Sequence, residues 1–104
     1  MNVCIAERHL HFRGHSGGET AALVVRVFAP FLLKEGDVSF QFSPGTAGCI
    51  VRIEGLPQKL EETTYGADSV QAVELAVRGI DPWLRRLSKS YDIFFDTGDP
   101  YFED

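Results

Sequence analysis

Val70, Val73, Val77, Ile80, Leu84 and Leu87 recur at alternating spacings of three and four. This feature constrains the chain most, because it lays one apolar stripe along an α-helix between Asp68 and Ser90. Ala72, Leu75, Ala76 and Trp83 widen the stripe, while Gln71, Glu74, Arg78, Arg85 and Lys89 fall largely on the other side. Asp68 suits the N-cap, since its carboxylate can accept from free amides of the first turn, and Gln71 is placed to reach back to the cap. Glu74 and Arg78 stand four apart in the favourable order for a surface pair. Gly79 and Asp81-Pro82 interrupt the pattern. The expectation is a kink there, with Asp81 capping a second segment and Pro82 at its first position, the stripe staying in phase across it.

Upstream of the helix the period changes to two. Residues 3–13 read as a strand with Cys4, Ala6, Leu10 and Phe12 on one face and Glu7, His9 and His11 on the other. Arg8 falls on the apolar face, where it must sit at an edge or carry its charge outward. Gly14, Ser16, Gly17 and Gly18 form a hairpin connection to a second strand over 20–29. Pro30 and Lys34-Glu35-Gly36 end that strand, and Phe31, Leu32 and Leu33 make a short apolar patch. Residues 37–43 alternate with Val38, Phe40 and Phe42 inward, and Pro44-Gly45 marks a turn. A further strand spans 48–55, with Cys49, Val51 and Ile53 on one side. Leu56 to Tyr65 is polar and contains Pro57, so it is expected to be the loop that returns the chain to the helix. After the helix, Tyr91, Ile93 and Phe95 alternate with Asp92 and Phe94 in a short last strand.

The expected fold is therefore α+β, one domain over residues 1–104. An antiparallel sheet of about four strands carries one long, kinked C-terminal helix on one face, followed by an acidic aromatic segment at 91–104. The other sheet face would hold Glu7, His9, His11, Val24, Arg26, Phe28, Ile50, Arg52 and Glu54, a more apolar mixture than solvation requires.

Composition excludes several functions. Hydrophobic residues at 44% and charged residues at 24% are those of a globular chain. A net charge of −5 is wrong for a nucleic-acid binder, which gathers Lys and Arg against phosphates. That charge is localised: Asp92, Asp96, Asp99, Glu103 and Asp104 lie beyond residue 91 with no base among them, and the rest of the chain is balanced. No apolar run approaches the ~18–20 residues of a membrane helix, and the N-terminus lacks the pattern of a signal peptide. Cys4 and Cys49, both in apolar strands, read as buried free thiols and point to a reducing cytoplasm.

Ile5 to Arg8, Val25 to Val27, Arg52 to Leu56 and Gly66 to Ala76 resemble, in this order, the segments of a family of small uncharacterised bacterial domains. The most specific segment is its G-x-D-S-x-Q-A-x-x-L-A helix start, here Gly66 to Ala76. The chain departs from that pattern in a longer Lys34 to Gly48 region and in Pro82. The resemblance implies no activity, cofactor or catalytic residue.

One constellation has metal-binding potential: Glu7, His9 and His11 on one strand face, ~6.5–7 Å apart at alternate positions, with His15 beyond. A closed metal site would draw ligands from a second element, and surface histidines on an edge strand are the competing reading. Ser69, Ser88, Cys4 and Cys49 have no local sign of activation as nucleophiles. The glycines at 14, 17 and 18 do not open a helix and make no phosphate loop. Trp83 near the kink is either core or an interface anchor. In the tail, Phe94, Asp96, Asp99, Tyr101 and Phe102 interleave aromatics with carboxylates, suited either to a basic partner or to pinning the terminus. The primary reading is a non-enzymatic interaction module without a cofactor, of inhibitor or immunity type, for a basic protein partner. The alternatives are a metal-binding protein or small metal enzyme on Glu7, His9 and His11, and a homodimer that buries the second sheet face.

Overall fold

Strand alternation builds a sheet, and the 3.6-residue stripe builds the layer that covers one side of it. The computed structural model describes residues 3–103. In order they form β1 (Cys4–Gly14), β2 (Ala21–Phe28), β3 (Phe31–Leu32), β4 (Ala47–Glu54), β5 (Leu60–Gly66), α1 (Ser69–Arg78), α2 (Ile80–Leu87) and β6 (Tyr91–Phe95). All pairings are antiparallel, in the order β3-β4-β2-β1-β6, with β5 also on β4. The α+β class and the covering helix agree with the sequence reading, but the sheet has six strands rather than about four.

Two of the extra strands come from segments read otherwise. β3 pairs with Ala47 and Gly48 while β2 pairs with Val51 to Glu54, and the register advances by one residue between them. The Phe31–Leu32 patch thus prolongs β2 past a bulge at Ala29-Pro30, where a missing amide is tolerated. β5 is the segment expected to be a crossing loop. Glu61 and Glu62 disguised it, yet Thr63, Thr64 and Tyr65 favour a strand, and it pairs with β4 from Ala47↔Gly66 to Ile53↔Leu60. The hairpin turns through Gly55, whose φ of +116° and closeness to Ala22 O leave no room for a Cβ. β2, β3 and β5 fill both sides of β4, and residues 37–43 pair with no strand. They form a loop in which Phe40 is exposed and packs edge-on against Tyr65 at 5.3 Å.

Asp68 caps α1, accepting from Gln71 N at 2.8 Å. Gln71 Oε1 accepts from Ala67 N at 2.6 Å, one residue before the expected target. The bend falls where Gly79 and Asp81-Pro82 interrupt the stripe, but the residue at the head of α2 is Gly79 rather than Asp81: Gly79 is right-handed helical, Trp83 N donates to its carbonyl at 3.2 Å, and no side chain caps that position. Pro82 still lies in the first turn of α2, where its absent N–H is no loss.

The stripe is also rotated. Ile80 and Leu84 are buried and Val73 and Leu87 half-buried, but Val70 is 73% and Val77 47% exposed, and Ala72 and Ala76 face the sheet instead. Two small side chains let α1 sink onto β4 and β5, where Gly66 lies against the backbone of Gln71 and Ala72. The core then joins Leu10, Leu23, Val25, Val27, Cys49, Val51 and Ile53 of the sheet to Ile80, Trp83 and Leu84 of the helices.

One helical layer on a long sheet gives an elongated body of 48 × 25 × 22 Å with a radius of gyration of 15.5 Å, against about 13 Å for a compact chain of this length. Its accessible surface of 6723 Å² exceeds by about 900 Å² what a folded monomer of this mass exposes.

Candidate functional site

On the open sheet face the charged side chains answer one another. Glu7 accepts from Arg26 at 2.8 Å, Arg26 also bonds Glu54 on β4, and Arg52 bonds Glu61 on β5 at 2.9 Å. The Glu54 hydrogen bond, aided by the Glu7 charge and opposed by partial desolvation, holds the Arg26 guanidinium above its ordinary pKa. Arg52 lies over the Phe28 ring at 4.8 Å. These pairs carry the apolar stems of the arginines across the sheet, so the aliphatic and aromatic residues among them are sheltered.

The histidines turn to different partners. His9 meets Glu7 at 2.9 Å, while His11 meets Asp96 at 3.1 Å beyond the end of β6. His15 lies 3.0 Å from Ser88 O. Among the described residues no group of three or more His, Cys, Asp and Glu side chains is arranged to hold a metal ion. Cys49 is fully buried with its thiol on Phe28 O at 3.3 Å, and burial raises its pKa. Ser88 Oγ donates to Arg85 O at 2.6 Å, an ordinary helix-end contact.

The acidic aromatic segment is docked. Phe95 N bonds Asp99 O at 2.8 Å and Tyr101 N bonds Ile93 O at 2.9 Å, so Asp99 to Tyr101 line the outer edge of β6. The Tyr101 hydroxyl accepts from Arg8 Nη1 at 2.6 Å and donates to Asp81 Oδ1. Burial first, and then the bond to Asp81, raise its pKa, while Arg8 lowers it. Arg8 thus sits on the helical face with its charge carried to the edge, as its place in the alternation requires. The Tyr101 ring meets Phe95 at a tilt and Phe102 edge-on, each at 4.9 Å, and the Arg85 guanidinium lies 3.8 Å from the Phe102 ring centroid. Asp92 pairs with Arg13 at 3.5 Å, Arg13 lies over Phe94 at 5.2 Å, and Asp99 takes the Thr97 hydroxyl at 3.0 Å. Trp83 is 6% exposed and belongs to the core. Asp104 lies outside the described residues.

A second surface was not foreseen. Because α1 lies over β4 and β5, a narrow groove of about 100 Å³ runs beside it along the helical side of β1 and β2, near Ala6 and Val27. Val25 and Val27 form its floor, Val77 and Ile80 one wall, and Ala6 and Arg8 the other. Val70 and Val73 continue the wall past Pro30 into a shallower apolar cleft. The sequence signal was available: Ala72 and Ala76 form a rival stripe of small residues beside the valines, and only one of the two can face the sheet.

A domain family described as "Domain of unknown function (DUF6968)" matches residues 6–92. The chain belongs to this family. No curated protein and no solved structure matches it. The DUF6968 span begins at the groove wall in β1, includes α1 and α2, and ends at the second residue of β6. Both walls of the groove therefore lie within the family domain, and the Tyr101 strap lies beyond it.

Proposed function

We propose that this DUF6968 domain is a non-catalytic protein-interaction module of the cytoplasm, receiving an apolar segment of a basic partner along the α1 groove. One observation carries this reading: on one side of α1, Val77 stands 47% exposed on the wall of a groove over Val25 and Val27, and Val70 stands 73% exposed in the apolar cleft beside it. The net charge of −5 and the acids beyond residue 91 favour a basic partner and speed its approach. Arg8 joins groove to tail through Tyr101, so Tyr101 and Phe102 stand on the groove's side of the sheet, while Phe94 and Asp96 lie with His11 on the other face and, with Asp99, add to the acidic field that draws such a partner in. Free Cys4 and Cys49 suit a reducing compartment. An inhibitor of a basic enzyme is the specific form this reading takes.

The test places a photo-crosslinking residue at Val70 in cells, purifies the captured protein, and measures its binding to the wild-type chain by calorimetry. Val70→Asp and Val77→Asp, both at exposed positions, should weaken that binding at least tenfold while leaving the fold intact by circular dichroism. A captured protein whose affinity ignores both substitutions, or no capture at all, removes the proposal.

A further inference from the structure

A sheet edge exposes a row of unpaired N–H and C=O groups, and soluble proteins guard such edges with charge, proline, bulges or a covering segment. Here the outer edge of β6 is occupied by Asp99 to Tyr101. The stretch of β1 before β6 begins carries a bulge between Cys4 and Ala6 and the Glu7-Arg8-His9 run. β5 has neither proline nor bulge, and its two charges are both paired within the chain. Its seven residues, Leu60 to Gly66, contain no proline and pair with β4 in unbroken register, and among the described residues no backbone bond reaches the outer side. Its only charges are Glu61 and Glu62, and each is matched by an arginine of its own chain, Glu61 by Arg52 on β4 at 2.9 Å and Glu62 by Arg86 on α2 at 3.3 Å.

We infer that β5 is the seam of a homodimer, pairing antiparallel with β5 of a second copy about a two-fold axis through Thr63. Symmetry restricts the register. A two-fold axis relating antiparallel edges stands perpendicular to the sheet and keeps both helical layers on one side, so each residue must face a partner of the same strand face. The register is then centred on a residue rather than between two. Centring on Glu62 opposes carboxylate to carboxylate, whereas centring on Thr63 sets Glu61 opposite Tyr65 and Glu62 opposite Thr64 and uses all seven residues. The overlying helix supports the same seam. Val70 and Val77 point to the β1 side, so Leu75, roughly opposite them on α1 and 38% exposed, lies toward the β5 edge. Its counterpart in the second copy would shield it. Because the far edge is closed by the chain's own tail, the pairing ends at two copies.

Light scattering on the full chain across a concentration series should give twice 11.6 kDa at high concentration. Thr63→Lys, at an exposed position, should return the mass to one chain without loss of helix and strand signal. Thr63→Cys should form an intermolecular disulfide under mild oxidation, since directly opposed antiparallel residues have Cα atoms about 4.5–5.5 Å apart; Val70→Cys should not. A monomer at every concentration, or a dimer that ignores Thr63→Lys and leaves Thr63→Cys uncrosslinked, overturns the inference.

Discussion

Tyr101 donates its phenolic hydrogen to Asp81 while accepting from Arg8, so one hydroxyl ties the C-terminal strap to both the α2 start and β1. Ninety-three residues separate Arg8 from Tyr101, and the bond closes the helical layer over the β6 side of the sheet. Tyr101→Phe keeps the ring contacts with Phe95 and Phe102 and removes only this link. It should cost about 0.5–1.5 kcal/mol in urea denaturation, the net worth of a partly exposed hydrogen bond. Amide exchange at Tyr101 and Phe95 should accelerate more than at Leu23. Equal acceleration at all three would mean the strap is held by its backbone bonds alone.

Gly66 closes β5 directly beneath the first turn of α1. A Cβ there would stand 2.4 Å from Ala72 N and 2.8 Å from Gln71 C, both backbone atoms that cannot rotate away. Gly66→Ala should therefore push α1 off the sheet and destabilise the domain by about 1–3 kcal/mol or more. Gly98→Ala, where nothing lies near the added carbon but φ is +92°, should cost only the backbone strain of about 1–2 kcal/mol. The comparison by thermal melting separates close packing from conformational freedom.

How far the sequence could be read follows from what each signal depends on. The β1–β2 hairpin, β4, the Asp68 cap and the Ile80–Leu84 core were legible because alternation, turn glycines and helix periodicity are local. β5 was not, because Glu61 and Glu62 are tolerated only through Arg52 and Arg86, partners 9 and 24 residues distant. Residues 37–43 failed in the opposite sense: their alternation is sound, but they pair with no strand, and Phe40 packs on the Tyr65 ring instead. The α1 groove was hidden by an ambiguity of the helix itself, since the Val70–Val77 and Ala72–Ala76 stripes both satisfy the period. Only the room made by Gly66 decides between them. For the tail, composition allowed a pinned or a partner-binding segment, and Arg8, set apart by its place on an apolar face, was the one residue that pointed to where the tail would be pinned.

The histidine strand predicts a negative response to metal. His9 is engaged by Glu7 at 2.9 Å and His11 by Asp96 at 3.1 Å, in two pairs formed with different elements. Zinc at a few equivalents should leave the thermal midpoint of the untagged protein unchanged at neutral pH. A site of useful affinity would raise it by several degrees through preferential binding to the folded chain. Such a rise, abolished by His9→Ala and His11→Ala, would make these residues metal ligands after all.

Cys49 and Tyr101 set the alkaline limit. Burial raises the thiol above its ordinary 9.0 and the phenol above its ordinary 10.0, the latter also through Asp81. For each, the neutral form is the one the fold favours, so its contribution is fully present below the unfolded-state pKa. It is lost as pH rises from there through the higher folded-state value, because unfolding then releases a proton. Unfolding free energy should be flat near neutrality and begin to fall above about pH 9. Cys49→Ala should flatten the first part of that fall, and Tyr101→Phe the later part. The same burial makes a kinetic prediction: in native buffer an aromatic disulfide reagent should label half-buried Cys4 promptly and Cys49 only after denaturant is added. Prompt labelling of both thiols would mean that the sheet around Cys49 opens locally, and the alkaline fall should then begin without any contribution from that site.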